Sequence, residues 1–265
     1  MGIFLPEFHI FWLIVVGLSG LALGSFAGAL AWRLPRNIKI TGRRRSACTD
    51  CEQTLRAADL IPVFSWLYNR GKCRHCGKAV SSDYIVIEVF TLALAVSFFL
   101  IFGYQPYTPA LILSAPVITA MFFIDWRHMI IPDVLNLALG GLGILALILV
   151  SFDATGYMVQ GIWQQALAGA AIFFVLAYLL TWGMSALLKK QAMGGGDIKF
   201  FAAAGLWLGP MVLPLFMMLS GGLGVIFGLI SRKITGREYF PFGPALIVAF
   251  IICLLMKKTV FLTLL

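Results

Sequence analysis

Apolar residues occur along this chain in long, nearly uninterrupted runs, not in the short alternations of a soluble fold. A helix needs about 20 apolar residues to cross the hydrocarbon core of a bilayer. The pattern predicts such helices near 10–32, 84–103, 109–125, 134–151, 162–183, 198–209, 211–230 and 244–263. The run 198–209 is short and is followed by Gly-Pro, so it is half a span or strongly tilted. We therefore expect an all-α polytopic membrane protein with about eight transmembrane helices.

The composition agrees with this architecture, since 61% of the residues are hydrophobic, 12% are charged and the mean hydropathy is +0.96. A soluble domain is about half apolar and a quarter charged, so a water-soluble core is excluded. Residues 33–83 differ from the rest, because they hold 11 of the 20 Lys and Arg. We expect three units: a first transmembrane helix over 1–32, a cytoplasmic segment over 33–83, and a seven-helix transmembrane domain over 84–265.

The positive charges predict the orientation. No Lys or Arg precedes the first apolar run, whereas Arg33 and Arg36 follow it directly. A cleaved signal peptide has the opposite order, so we expect this helix to be retained, with the chain from residue 33 in the cytoplasm. Because the chain changes side with each membrane helix, three further connecting segments are expected in the cytoplasm: 126–133, 184–197 and 231–243. They carry most of the remaining Lys and Arg, whereas the opposite loops carry none: 104–108 and 152–161.

Four of the five cysteines lie in the basic segment, as Cys48-x-x-Cys51 and Cys73-x-x-Cys76. Thiols stay reduced on the cytoplasmic side, so paired CxxC turns indicate a metal rather than disulfides. Four sulfurs suit a tetrahedral Zn²⁺ and leave no open position for catalysis. We predict a structural zinc on the four cysteines, with His75 replacing one of them as the alternative. Apolar residues between the pairs predict a small core: Leu60, Ile61, Val63, Phe64 and Trp66.

The charge of this segment also bears on its partners. It has 11 basic and four acidic residues, a net charge of +7. Nucleic acid is one interpretation of such a charge, but basic and aromatic residues do not interleave here. We expect attraction to the anionic lipids of the inner leaflet and no nucleic-acid partner.

Carboxylates near a membrane span are costly, so each one suggests a function. Asp125 ends the run 109–125, and Asp197 follows three glycines just before the run 198–209. Parity places both at the cytoplasmic ends of their helices. Such a pair can share a proton, so that the ionised member activates water and the protonated member assists the peptide carbonyl. Asp125 and Asp197 are therefore the candidate catalytic residues, with a helix N-cap as the alternative role of Asp197.

Other polar residues near the membrane have several open roles. Asp133 is predicted to cap a helix or form a turn, and Asp153 and Glu238 to be solvated. Glu88 either pairs with a basic group of the segment 33–83, extends to the membrane surface, packs between helices or contacts substrate. Lys199 either tunes Asp197 or binds lipid phosphate.

Taken in order, these motifs resemble the type IV prepilin peptidase family, also called prepilin leader peptidase/N-methyltransferase. The resemblance covers nearly the whole chain. It is carried by Gly24-Ser25-Phe26 with Arg33-Leu34-Pro35, the tetra-cysteine segment, Asp125 with Ile131-Pro132-Asp133, the GxGD stretch from Gly194 to Lys199, and Pro241-Phe242-Gly243-Pro244. At Gly28 and Ile85 the chain differs from the Asn and Pro that are usual in the family.

The resemblance implies an aspartyl endopeptidase of the bacterial inner membrane, with Asp125 and Asp197 catalytic at the cytoplasmic face. Its substrates would be type IV prepilins or type II secretion pseudopilins, cut after the terminal Gly of a short leader. It also implies methylation of the new N-terminus by S-adenosyl-L-methionine, for which the sequence predicts no binding residues. Two alternatives stay open. One is another GxGD intramembrane protease, favoured by Pro244-Ala245-Leu246; the other is a carrier or proton channel with paired carboxylates.

Overall fold

The structure is a computed structural model that describes residues 6–40, 46–151, 161–190, 193–235 and 240–261. Within these ranges the chain forms nine α-helices. They are α1 Pro6–Arg33, α2 Phe64–Tyr68, α3 Asp83–Phe102, α4 Thr108–His128, α5 Asp133–Ser151, α6 Ile162–Leu188, α7 Gly195–Leu208, α8 Leu213–Thr235 and α9 Gly243–Phe261. The described residues contain two isolated β-bridges and no strand. The all-α prediction is confirmed.

Six of these helices are long and apolar enough to cross a membrane: α1, α3, α4, α5, α6 and α8. The other two predicted spans also form helices, but α7 has only 14 residues and the apolar part of α9 covers Gly243–Met256. A 14-residue helix is about 21 Å long, short of the roughly 30 Å hydrocarbon core. The count of eight transmembrane helices is therefore not confirmed.

The break after α7 follows from two adjacent residues. Gly209 adopts a φ of +76°, which suits glycine, and donates its N–H to Gly205. Pro210 follows and has no N–H with which to continue the helix. The predictions for Asp153 and Glu238, and for most of the loop 152–161, lie outside the described residues.

Helix α4 occupies the centre of the bundle and is mostly buried, whereas α1, α6 and α8 expose most of their apolar surface. Helices α1 and α3 pack on one side of α4, and α6 packs along α7. Both α5 and α9 contact α4 as well as α7. The helices that carry the two candidate aspartates therefore share two neighbours, and these neighbours fix their relative position.

Candidate active site and metal centre

Asp125 lies in the last turn of α4 and is 4% exposed. Its Oδ2 accepts a hydrogen bond from the N–H of Gly243, the first residue of α9, over 2.9 Å. A Cβ at Gly243 would lie 2.5 Å from that oxygen, so only glycine allows the backbone to approach the carboxylate so closely. The sequence marked Gly243 only as part of a family motif. It carried no signal for this contact between residues 118 positions apart.

Asp197 lies in the first turn of α7 and is half-buried. Gly194 is the N-cap of this helix, so the N-cap role considered for Asp197 is wrong. The Asp197 carboxylate instead reaches back and accepts a hydrogen bond from the Gly194 N–H over 3.2 Å. An acidic group in this position also interacts favourably with the helix dipole. The two local interactions hold the carboxylate at the end of the helix.

The turn that ends α4 contacts the turn that begins α7. The Ile131 carbonyl lies against Gly196, where a Cβ would come within 2.6 Å of its oxygen. Asn136, in the first turn of α5, donates its Nδ2–H to the Gly196 carbonyl over 3.0 Å. These contacts bring Asp125 and Asp197 close enough for their carboxylates to interact electrostatically. Sequence reasoning did not identify Asn136, which has no signature outside its three-dimensional contact.

Lys199 and Asp133 form an ion pair beside this site, with the Lys199 Nζ 2.6 Å from the Asp133 Oδ2. Asp133 is the first residue of α5, and its carboxylate is engaged by Lys199. The two roles considered for Lys199, tuning Asp197 and binding lipid phosphate, did not include this contact. Both side chains are more than half exposed. The pair contributes at most about 1 kcal/mol.

The four predicted metal ligands meet between α1 and α3. Their sulfurs lie within 4.8 Å of one another, and the four cysteines form the group without His75. Both pairs have the same backbone turn. In each pair, the backbone N–H of the first cysteine donates to the carbonyl of the residue five positions later, over 2.9 Å for Cys48 and 2.8 Å for Cys73. The carbonyl of the same cysteine accepts from the N–H of the residue four positions later, over 3.1 Å and 2.9 Å. That fourth residue is left-handed in both turns, with φ of +55° at Glu52 and +70° at Gly77.

This cluster fits a tetrahedral metal. Zn–S bonds of about 2.3 Å place two ligand sulfurs about 3.8 Å apart, and the sulfurs of Cys48 and Cys76 are 3.9 Å apart. The backbone N–H groups of Cys76 and His75 lower the pKa of the Cys73 thiol to about 7. Against the lowering effect of the Gln53 backbone, burial and the other three cysteines raise the pKa of the Cys51 thiol to about 11. Of these two ligands, Cys73 is therefore the first to form the thiolate that binds metals. The cluster can therefore hold a metal ion.

Glu88 joins this segment to the membrane helices. It is buried in α3, and its Oε2 accepts a hydrogen bond from the Val63 N–H over 2.7 Å. The Ser25 hydroxyl of α1 donates to the same side chain. Of the open roles for Glu88, the structure shows contact with the segment, through its backbone and not through a basic group. Where the segment ends and α3 begins, Asp83 forms an ion pair with Arg127 of α4, two residues beyond Asp125.

The predicted apolar core of the segment is wrong. Leu60, Ile61 and Phe64 are exposed, Phe64 by 64%, while Trp66 is half-buried and donates its Nε1–H to the Val80 carbonyl over 3.1 Å. So short a segment buries too little surface for a core of its own. Its structure rests on the cysteine turns and on ion pairs such as Lys78–Asp50, at 2.6 Å.

Carboxylates at the ends of membrane helices suggest a function. Two of them, brought together in a polytopic helical protein, are the arrangement of a membrane aspartyl peptidase. The model of the bacterial peptidase A24 N-terminal domain matches residues 18–102, and that of the type IV leader peptidase family matches 111–229. The chain belongs to the type IV leader peptidase family. The family prediction is thereby confirmed, and neither alternative, another GxGD protease or a carrier, is supported.

Several curated proteins are similar over most of the chain. The type 4 prepilin-like proteins leader peptide-processing enzyme of Escherichia coli O78:H11 (strain H10407 / ETEC) is 30% identical, covering 88% of this chain and 90% of its own. The prepilin leader peptidase/N-methyltransferase of Aeromonas salmonicida (strain A449) is 36% identical, over 82% of this chain and 72% of its own. The prepilin leader peptidase/N-methyltransferase of Legionella pneumophila is 32% identical, over 92% of this chain and 91% of its own. No solved structure matches significantly.

Proposed function

We propose that this protein removes the leader peptide from type IV prepilins or type II secretion pseudopilins, with Asp125 and Asp197 as its catalytic pair. The observation that carries the proposal is the convergence of these carboxylates, one at the end of α4 and one at the start of α7, within electrostatic range. The relatives named as prepilin leader peptidases support the class of substrate.

The paired carboxylates account for peptide hydrolysis. Two like charges this close cannot both ionise cheaply, so the pair holds one proton and titrates as a unit. The ionised member takes a proton from water, and the resulting hydroxide attacks the scissile carbonyl carbon. The protonated member donates to the carbonyl oxygen as negative charge develops there. The carboxyl group that took the proton from water then gives it to the leaving nitrogen, and the other carboxylate takes back a proton from the intermediate. The C–N bond breaks, the amine of the mature protein is released, and the pair again holds one proton.

The surroundings of the pair suit this chemistry. The N–H groups of Gly243 and Gly194 hold the two carboxylates in place. Gly194 and Gly195 are exposed at the start of α7 and have no side chains. An extended substrate backbone can therefore approach Asp197 closely.

The metal in this proposal is a structural Zn²⁺ held by Cys48, Cys51, Cys73 and Cys76. Four protein ligands leave no open coordination position, so the ion would cross-link the two turns and take no part in hydrolysis. It would compensate for the missing apolar core of the segment.

The second activity in this proposal is methylation of the new N-terminus, with S-adenosyl-L-methionine as methyl donor. It is supported by the name prepilin leader peptidase/N-methyltransferase that several relatives carry. The described part of the segment between α1 and α3 is too short for a doubly wound cofactor fold and contains no strand. We therefore assign no residue to this cofactor.

We place the protein in the bacterial inner membrane with the site at the cytoplasmic face, as the distribution of Lys and Arg favours. The segment would lie against anionic lipid. Its net charge of +7 favours this, and the hydrogen bond from Val63 to Glu88 holds it at the second turn of α3. Phe64, Leu67 and Tyr68 are exposed beside that contact, Tyr68 by 84%. The absence of a nucleic-acid partner stays a prediction.

The test of the peptidase proposal is incubation of the purified enzyme with a prepilin, with and without S-adenosyl-L-methionine. Mass spectrometry of the product N-terminus should show loss of the leader in both samples and one added methyl group only with the cofactor. An intact prepilin would contradict the peptidase. A cleaved product without a methyl group at saturating cofactor would contradict only the methylation.

The lipid contact has its own test. A photo-cross-linking phenylalanine analogue at Phe64, in nanodiscs with phosphatidylglycerol, should form adducts with lipid. The control carries the same analogue at Arg74, whose side chain forms an ion pair with Asp59 over 2.9 Å. Adducts to a prepilin in place of lipid would show that the exposed residues bind substrate instead.

A further inference from the structure

Asn136 is a buried polar residue, 6% exposed, in the first turn of α5. Its Nδ2 donates to the Gly196 carbonyl over 3.0 Å. That carbonyl belongs to the peptide that links Gly196 to Asp197. The hydrogen bond therefore acts on the backbone directly before the candidate catalytic residue.

The other half of the Asn136 amide has no protein partner. Among the described residues no group donates to its Oδ1, although this oxygen is buried. The orientation of the amide follows from Gly196, since only the NH₂ end can face a carbonyl oxygen. Both amide atoms are bonded to one carbon, so the unpaired oxygen also lies beside the glycine turn. An unpaired buried acceptor lowers stability, so the hydrogen bond to Gly196 accounts for the NH₂ end of this amide, whereas packing and stability give no reason for its oxygen.

The position of Asn136 connects the two aspartates. Helix α5 begins at Asp133, only five residues after α4 ends at His128. The connecting turn lies directly against Gly196 through the Ile131 carbonyl. The other polar link between the starts of α5 and α7 is the exposed ion pair of Lys199 and Asp133, and exposed pairs are weak restraints. Among the described residues, the Asn136 hydrogen bond is the partly buried polar restraint at this end of the two helices; further along them, the Trp207 Nε1–H donates to the Leu139 carbonyl over 3.0 Å.

We propose that Asn136 is a positioning residue of the aspartyl site. Its N–H holds the Gly196 carbonyl and so fixes the Asp197 carboxylate relative to Asp125. Its Oδ1 accepts a hydrogen bond from an O–H or N–H donor at the glycine turn, either a water molecule or a peptide N–H of the substrate. The inference rests on the proposed function, because Asn136 acts through Asp197.

The first test replaces Asn136 by Leu, which has a similar size and no hydrogen-bonding group. We expect kcat for leader cleavage to fall about 100-fold, as for a small misplacement of a catalytic group. The Tm should change little, because the loss of the hydrogen bond to Gly196 is offset by the removal of the unpaired buried acceptor. A raised KM would assign the Oδ1 donor to the substrate, and an unchanged KM to water. The control is Thr119→Val, since the buried Thr119 hydroxyl bonds only the Ala115 carbonyl of its own helix, over 2.8 Å.

The second test is Asn136→Asp. A protonated carboxyl group has the donor and the acceptor of an amide, whereas an ionised one lacks the donor. The kcat of this variant relative to the unchanged enzyme should therefore rise as the pH falls, while the relative kcat of Asn136→Leu stays flat. Both variants retain the charged groups on the neighbouring turns: Asp125, Asp133, Asp197 and Lys199. The relative kcat of Asn136→Leu reports the effect of their titration alone, so a rise confined to Asn136→Asp comes from the new carboxyl group.

Three results would overturn the inference: a normal kcat in Asn136→Leu, a Tm that falls together with its activity, or a relative kcat of Asn136→Asp that does not change with pH. Failure of the proposed function would look different, because the unchanged enzyme would then leave the prepilin uncut, or Asp125→Asn would cut it normally.

Discussion

Gly243 is the single residue on which the position of Asp125 depends most directly. Its N–H donates to the carboxylate over 2.9 Å, and a Cβ would lie 2.5 Å from Oδ2 and 2.7 Å from Cγ. Real Cβ atoms essentially never approach other atoms so closely. A side chain at this position must therefore displace either the carboxylate or the start of α9.

Gly243→Ala should lower leader cleavage by about 100-fold, since a misplacement of about 1 Å at a catalytic group has this effect. The measurement is the steady-state rate of cleavage of a purified prepilin. Gly141→Ala is the matched control, because a Cβ on Gly141 meets nothing within 4 Å, and this variant should cleave normally. Equal rates for the two variants would show that the close approach of α9 does not position Asp125.

At the scale of elements, the contact between α3 and the cysteine segment decides where that segment lies. Val63 has a left-handed φ of +62°, which is rare for a β-branched residue. This backbone conformation aims its N–H at Glu88. The segment is thus attached to the membrane helices by the buried side chain of Glu88. The ion pair of Asp83 with Arg127 joins the start of α3 to the end of α4.

Glu88→Leu should release the segment, because a hydrogen bond to a charged group contributes about 1.5–3 kcal/mol. Hydrogen exchange at residues 60–68 should become faster while the exchange of α4 stays unchanged. Val89→Leu, an exposed position on the same helix, should leave both rates as they are. Unaltered exchange at residues 60–68 in Glu88→Leu would mean that Glu88 does not anchor the segment.

The cysteine turns should bind one zinc per chain. Cys73→Ser should abolish metal binding and loosen residues 46–82, with the helical circular dichroism of the bundle retained. Because zinc binds the thiolate form, protons compete with the metal for the four sulfurs, and zinc retention should weaken as the pH falls. Metal analysis by mass spectrometry checks both points, and a zinc-free protein with four freely alkylated thiols would refute the site.

The sequence predicted those features that depend on local patterns. Each predicted apolar run became a helix, and the CxxC spacing identified the residues whose sulfurs converge. The contacts of Asp125 with Gly243 and of Asn136 with Gly196 join residues 118 and 60 positions apart. No local pattern encodes such contacts. The apolar residues of the segment were wrongly placed in a core, because apolar character alone does not separate a core from a surface that faces other partners.

At the scale of the whole molecule, the candidate site is a product of helix packing. Asp125 and Asp197 lie at opposite ends of their helices, the C-terminal end of α4 and the N-terminal end of α7. Helices α5 and α9 each contact both of them. The candidate site therefore forms only when the bundle is assembled.

The most direct test of the account is leader cleavage by Asp125→Asn, Asp197→Asn and the double variant, each with its helical circular dichroism confirmed. Asn nearly preserves the shape of Asp but cannot exchange the proton, so each single variant should lose several orders of magnitude of activity. The double variant should be little worse than either one, because groups that act as a unit are not additive. Asp133→Asn, the control, should lose far less. Near-normal cleavage by a folded Asp125→Asn or Asp197→Asn enzyme would contradict the aspartyl mechanism.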